Sequence, residues 1–382
     1  MNPDTMKQFS ILLILASAIL SCGGNDPVNP GTDPIPSVPT PSFAKGADIS
    51  WVSEMEKDGK TFRTADGNTA DIFAVLAETG VNAIRLRVWV DPYNGWSGKD
   101  DVVKLATRAA KAGMALMIDF HYSDFFADPG RQIIPAAWTA DKADVTKMAE
   151  HVSNHTTEVL KALKDAGVKP AWIQIGNETR GGMLYGTGDL NYKDEGNEFQ
   201  AFLKLYNAGY DAAKTVFPSV LVMPHIDKAF DLGNNEWWFT CFKNQGGKYD
   251  MIALSHYPQA SWDGKKQIPW ATANSQAINS IKTLASIMGV PVIISEVGVK
   301  TSADEATAAR VLSEFMAEAK KIGQCKGVFY WEPEVYGGWK PAIYSLPDQI
   351  YKYAGERTTW GAYDMGAFLA GGKASSVMNA FK

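Results

Sequence analysis

The chain reads as an α/β protein of the (β/α)8 TIM barrel class, and three observations carry that reading. Eight short, β-rich apolar runs recur between residue 43 and the C-terminus. Polar loops and helical stretches with apolar residues at three-to-four spacing separate them. Nearly every run turns polar at its C-terminal end, and in such a barrel those ends converge on the face that holds active sites.

The runs, in order, are "FAKGADIS" (43–50), "AIRLRVWV" (83–90), "MALMIDFHYS" (114–123) and "AWIQIGNE" (171–178), then "VLVMPHID" (220–227), "MIALSHYP" (251–258), "PVIISEVG" (291–298) and "GVFYWEPE" (327–334). Between them, "DDVVKLATRAAKAG" and "TAARVLSEFMAEAKKIG" are amphipathic at the helical period, and each finishes at a glycine suited to a C-cap. An open, doubly wound sheet is the structural rival. No Gly-rich phosphate fingerprint follows the first run, so a dinucleotide fold is not expected. The polar ends are Asp48, Arg85 and Arg87, His121, Asn177 and Glu178, His225 and Asp227, His256 and Tyr257, Glu296, and Glu332. Random strand ends are also polar, but seldom gather three of a chain's five histidines together with so many carboxylates.

Of the 382 residues, 46% are hydrophobic and 21% charged, which suits a chain able to bury a large core. A net charge of −5 with no basic block argues against nucleic acid as a partner. Twelve tryptophans exceed what core filling alone asks for. Flat aromatic platforms on which sugar rings stack would use the remainder.

The N-terminus reads as a targeting segment. In "MKQFSILLILASAILSC" (6–22) a lysine precedes an apolar run, Ile11 to Leu20, that is too short to span a bilayer. The segment ends in "ILSC", which resembles a bacterial lipobox. Residues 1–21 are therefore expected to be a lipoprotein signal peptide, with Met6 as an alternative start, and Cys22 the lipidated first residue of the mature chain. Ordinary secretion with cleavage nearby is the alternative. Residues 23–42 carry six prolines and no aromatic residue, the composition of an extended tether. The expected organisation is thus signal peptide 1–21, tether 22–42 and catalytic domain 43–382. Cys241 and Cys325, the other two cysteines, make neither a disulfide framework nor a zinc site.

Two glutamates stand at the tips of the fourth and seventh runs, Glu178 in "IGNET" and Glu296 in "ISEVG". Across a barrel mouth these strands lie opposite each other. Retaining glycosidases need two carboxyls about 5–5.5 Å apart, one to protonate the leaving oxygen and one to attack the anomeric carbon. The acid must keep its proton near neutral pH, which burial and a second carboxylate both favour. The nucleophile must stay ionised. Arg85 and Arg87 alternate onto one face of the second strand, and one of them is placed to reach Glu296. Asn177 is placed to bond a sugar hydroxyl, Tyr257 to hold the nucleophile, and Trp331 to floor the sugar ring. A metal site made of His121, His225 and His256 is the lesser reading, since the histidines are interleaved with aromatics and no HxH motif follows the first strand. "EWW" (236–238) is either a sugar platform or part of a buried helix start.

The Asn-Glu pair on strand four and the Glu on strand seven resemble those of the retaining (β/α)8 glycosidases. More specifically, "KGADISWVSEMEKDGKTF", "GVNAIRLRVWVDPYNG", "DFHYSDFFADPGRQIIPAAW", "IQIGNETRGGMLY", "PHIDKA", "NEWWF" and "VFYWEPE" are similar, in order, to segments of glycoside hydrolase family 53, the endo-β-1,4-galactanases. The resemblance spans roughly residues 43 to 380. It implies Glu178 as acid/base, Glu296 as nucleophile, and Arg85, His121, Asp124, Phe126, Asn177, His225, Asp227, Tyr257 and Trp331 as substrate-binding residues. The implied substrate is β-1,4-galactan, the side chain of type I arabinogalactan in pectin, with no cofactor. Three departures stand out. Phe126 replaces a tryptophan usual in the family, and His256 and Gln259 stand where aromatics are common. The connection after "SEVG" is short and lacks the Asp-rich stretch with which many bacterial relatives bind calcium, so no metal is expected there.

Two other readings remain open on sequence: an endo-glycanase for another β-1,4 glycan, and a glycan-binding lipoprotein that has lost catalysis. Retention of both carboxylates with their flanking Asn and Arg favours the enzyme. The expected setting is an exported monomer, lipid-anchored to the bacterial outer membrane on its surface or periplasmic face.

Overall fold

Strand β1 (Ala44–Asp48) pairs in parallel with β2 (Ala83–Val88), and the ladder continues through β3 (Ala115–Phe120) and β4 (Trp172–Ile175). The protein is described here from a computed structural model covering residues 36–302, 304–355 and 364–382. The lipobox, Cys22 and most of the tether lie outside the described residues. Residues 36–40 have no regular secondary structure, and Val38 among them packs on the core.

Strand β5 comes in two pieces. Leu221–Met223 pairs with β4, and His225–Ile226 pairs with β6 (Ile252–His256). Pro224 separates them because it has no N–H to give a ladder, although its carbonyl still accepts from Ala253 N at 3.0 Å. Strand β7 (Val292–Val297) and β8 (Cys325–Trp331) complete the ring, and β8 pairs back onto β1. Eight strand positions close on themselves through the two halves of β5, the barrel expected from the sequence.

Helices α1 (Val52–Lys57), α2 (Ile72–Glu78), α3 (Lys99–Lys111), α4 (Val145–Asp165), α5 (Gln200–Val216), α6 (Leu232–Asn244), α7 (Trp270–Met288), α8 (Glu305–Lys320) and α9 (Pro347–Ala354) punctuate the strands. Aspartates cap several: Asp71, Asp144, Asp231 and Asp304 each accept from a backbone N–H of the first turn. Gly113 sits left-handed (φ +75°) just past α3, as expected. Gly323 does not do the same after α8. That helix ends at Lys320 with Lys321 as its C-cap, and the chain leaves through tight turns in which Ile322 N donates to Ala319 O and Cys325 N to Ile322 O. Among the described residues no helix is long and apolar enough to cross a membrane. Cys241 and Cys325 are both free thiols.

The floor of the barrel is an apolar layer of Ala44, Ala83, Ala115, Met117, Trp172, Met223, Met251, Ala253, Ile293 and Phe329. Two residues further along β2 to β6, on the same face, this layer gives way to Arg85, Asp119, Gln174, His225 and Ser255. β7 needs an irregularity to join them. Ile294 pairs with Leu254 and Glu296 with Ser255, so Ser295 is an extra residue; the β8 side shows the same slip. Strict alternation from Ile293 would put Ser295 inward and Glu296 outward. The bulge at Ser295 reverses this and turns Glu296 to the interior.

Candidate active site

Arg85 is the hub of the polar layer. It is 1% exposed. Its Nη1 reaches Asp48 Oδ2 at 2.7 Å, and its Nη2 reaches Asp119 Oδ2 at 2.7 Å, Glu296 Oε1 at 2.8 Å and Asn177 Oδ1 at 2.9 Å. Burial alone would lower its pKa, but Asp119, Glu296 and Asp48 more than reverse that and keep it charged. Arg87, two residues on, takes another course. Its guanidinium lies 4.2 Å from the Trp51 ring centroid and 4.7 Å from that of Phe126, and Nη1 pairs with Glu332 Oε1 at 2.5 Å.

Glu296 is held on both oxygens. Oε1 faces Arg85, while Oε2 accepts from the Tyr257 phenol at 2.7 Å and the Ser255 hydroxyl at 3.3 Å. Burial raises its pKa, and Arg85 and Tyr257 offset that rise only in part. Tyr257 keeps its own proton, because burial and the nearby Glu296 and Glu178 push its pKa well above 10.

Glu178 sits in the left-handed region (φ +49°), directly after Gly176 (φ +78°) and Asn177. A side chain there costs on the order of 1 kcal/mol, and the turn brings the glutamate to the cleft wall. Burial, then Glu296, then Asp227, raise its pKa well above 4.5. Three carboxylates already share Arg85, so the proton of the Glu178–Glu296 pair rests on Glu178. Ser255 lies within hydrogen-bond reach of both acids. Behind them His225 is fully buried, and burial beside Arg85 keeps it neutral. With its proton on Nε2, it donates to Ser255 Oγ at 2.8 Å and accepts from Glu178 N on Nδ1 at 3.2 Å.

Both glutamates open into one cleft of about 590 Å³, lined also by Arg85, His121, Phe126, Asn177, Asp227, Tyr257 and Trp331. Trp331 stands edge-on to Tyr257 and to Phe126. His121 donates to Asp119 through Nε2 (2.9 Å) and accepts from Ala127 N on Nδ1 (3.0 Å). Asp227 pairs with Arg180.

Three of the expected binding residues are held by the protein itself. Asp124 is not on the cleft wall: its two oxygens accept from Asp91 N at 2.9 Å and Ala136 N at 2.8 Å, so it clamps the loops after β2 and β3. His225 lies behind the carboxylates rather than beside a substrate. Asn177 lines the cleft, and its amide also holds the strand tip, with Nδ2 donating to Ala127 O at 2.7 Å and Oδ1 accepting from Arg85 and Gln174. His256 is also buried and bonds Asn274 Oδ1 at 2.8 Å. Among the described residues no group of three or more His, Cys, Asp or Glu is arranged to hold a metal ion. "EWW" divides: Trp238 is fully buried on α6, and Trp237 is 40% exposed and stacked on Tyr192.

Asp119, Gln174 and Ser255 escaped the sequence reading. Each is the last residue but one of its strand, and a polar residue there at the inward parity of Arg85 is the signal that finds it.

A parallel barrel whose mouth sets two acids in unlike surroundings, one clasped by Arg85 and Tyr257 and one not, is the frame of a barrel glycoside hydrolase. The profile of Glycosyl hydrolase family 53 matches residues 44–366, and the chain belongs to that family. It is 30% identical over 358 residues to the endo-β-1,4-galactanase of Bacillus subtilis (strain 168), covering 85% of this chain and 75% of that protein. It is 34% identical over 219 residues to the arabinogalactan endo-β-1,4-galactanase of Thermothelomyces thermophilus, covering 56% of this chain. The matched stretches span 60% and 64% of the length of two of the curated relatives. A solved structure from a study of two fungal β-1,4-galactanases superposes with a TM-score of 0.72 at 26% identity, covering 88% of this chain and 98% of that one.

Proposed function

We propose that this chain is an endo-acting, retaining hydrolase of β-1,4-galactosidic bonds in galactan, with Glu178 as acid/base and Glu296 as nucleophile. The observation that carries the assignment of roles is the asymmetry of the pair. Glu296 is clasped by Arg85 and Tyr257, whereas Glu178 is pressed by negative charge and burial toward its protonated form. In the first step the Glu178 carboxyl gives its proton to the glycosidic oxygen as Glu296 Oε attacks the anomeric carbon. The bond to the leaving sugar breaks and a glycosyl ester forms on Glu296. The Glu178 carboxylate then takes a proton from water, whose oxygen attacks the same carbon from the other face. Glu296 is released and the anomeric configuration is retained. Trp331 and Phe126 offer aromatic surface to a sugar ring in the cleft.

Incubation with linear galactan, xylan and mannan, with product sizing and anomeric analysis, tests this. Short galacto-oligosaccharides of retained configuration are expected. Activity on xylan or mannan but not galactan would overturn the substrate assignment. The setting proposed is export, cleavage before Cys22 and lipid attachment there, with the enzyme acting as a monomer. Cys22→Ala is expected to release the protein from the membrane fraction, and continued retention would count against the anchor.

A further inference from the structure

The cleft does not stop at Asp227. Lys228 and Phe230, which line it at the end of β5, also line a second groove of about 690 Å³ bounded by α6, α7 and the loop after β6. On that loop stands Trp262, 58% exposed. An indole this open has no part in the core, and two features hold it in place. Trp262 pairs with Gln267 in an antiparallel bridge, closed by a turn in which Asp263 Oδ1 accepts from Lys265 N (2.9 Å) and Lys266 N (3.0 Å). The loop is also tied to the catalytic machinery, since Ser261 Oγ donates to the carbonyl of Tyr257, the residue that holds Glu296. Gln259 accepts from Lys300 N at 2.7 Å and so braces the β6 loop against the β7 loop.

Resting on the galactan reading above, we propose that this groove is a distal galactosyl subsite on the leaving-group side of the cleft, with Trp262 as its stacking platform. The occupant follows from continuity, because a polymer lying across Glu178 and Glu296 and running past Phe230 arrives at Trp262. The chemistry matches. The axial 4-hydroxyl of galactose leaves C3 to C6 as one C–H face, suited to an indole, and the exposed amides of Gln276 and Asn279 border the groove for the hydroxyls. The side follows from the acid. Glu178 protonates the departing oxygen, and the groove extends from the β5–β6 edge beside Asp227, away from Trp331 on β8.

The test compares wild type and Trp262→Ala on reducing-end-labelled β-1,4-galacto-oligosaccharides, trimer through heptamer. kcat/KM on the shortest cleaved substrate is expected to stay within about twofold, and on the longest to fall roughly five- to tenfold. Cleavage of the long substrates should shift toward the reducing end, and Trp262→Phe should recover most of the loss. An equal loss at every length, or no loss at any, overturns the subsite. Failure of the wild type to cleave any of these oligosaccharides would instead overturn the galactan reading, and the subsite with it.

Discussion

At the residue scale, the assignment turns on where one proton sits. Glu178→Gln is expected to lower kcat roughly 10²- to 10⁴-fold, and Glu296→Gln on the order of 10⁴-fold or more, with circular dichroism unchanged. Near-full activity of either variant would break the pair. The pH profile gives a finer check. With Glu178 as the proposed acid, activity needs it protonated and is expected to be lost as pH rises through its raised pKa. Asp227 contributes to the raise and also neutralises Arg180. Asp227→Asn removes a negative charge and leaves Arg180 positive, and both changes lower the Glu178 pKa. The alkaline limb of kcat/KM should therefore move to lower pH, and an unmoved limb would show that Asp227 does not tune the acid. Most of this site was legible in the chain. Glu178, Glu296 and Tyr257, named from the sequence, line the cleft because they stand at or just past strand ends, and Arg85 lines it as one of two arginines that alternate onto one face of β2. Asp124 and His225 were misplaced because a polar residue near a strand end binds loop backbone as readily as a ligand, and sequence does not show which.

At the element scale, the strands do two jobs in successive layers. The apolar floor is tight where β1 meets β8. A Cβ added at Gly46 would lie 2.1 Å from the Phe329 ring, which is itself fully buried and edge-on to Trp172. Gly46→Ala is thus expected to cost about 1–3 kcal/mol of stability by overpacking, read as a lower urea midpoint with an unchanged slope. A wild-type midpoint would mean that the Phe329 ring has room to move. The same alternation places Arg85 above Ala83 and Asp119 above Met117, so the polar layer inherits its geometry from the floor. β7 is the exception, since its bulge at Ser295 changes the parity. Nothing in "PVIISEVG" announces a bulge, and plain alternation from Ile293 turns Glu296 away from the cleft.

On the scale of the whole molecule, the barrel buries more acid than the site alone uses. Glu54 in the first turn of α1 is 3% exposed and accepts from Ala342 N at 2.8 Å. Burial, partly offset by that bond, raises its pKa from 4.5 to about 7. A carboxyl whose pKa is raised on folding contributes full stability below about 4.5 and loses it as pH rises through about 7. Glu54→Gln keeps an acceptor for Ala342 and removes the titration. The fall in Tm between these pH values should be shallower in the variant, and parallel Tm curves would assign the wild-type slope to other groups. The sequence by itself determined the eight-strand barrel, the helices between the strands and the two acids at the rim, because periodicity and strand-end polarity are local properties of a chain. Only the tertiary structure decided which of those polar residues share a cleft, that β5 breaks at Pro224, that Ser295 bulges and that one guanidinium serves three carboxylates. Those outcomes depend on register and burial across strands far apart in the chain, and no local pattern encodes the sum.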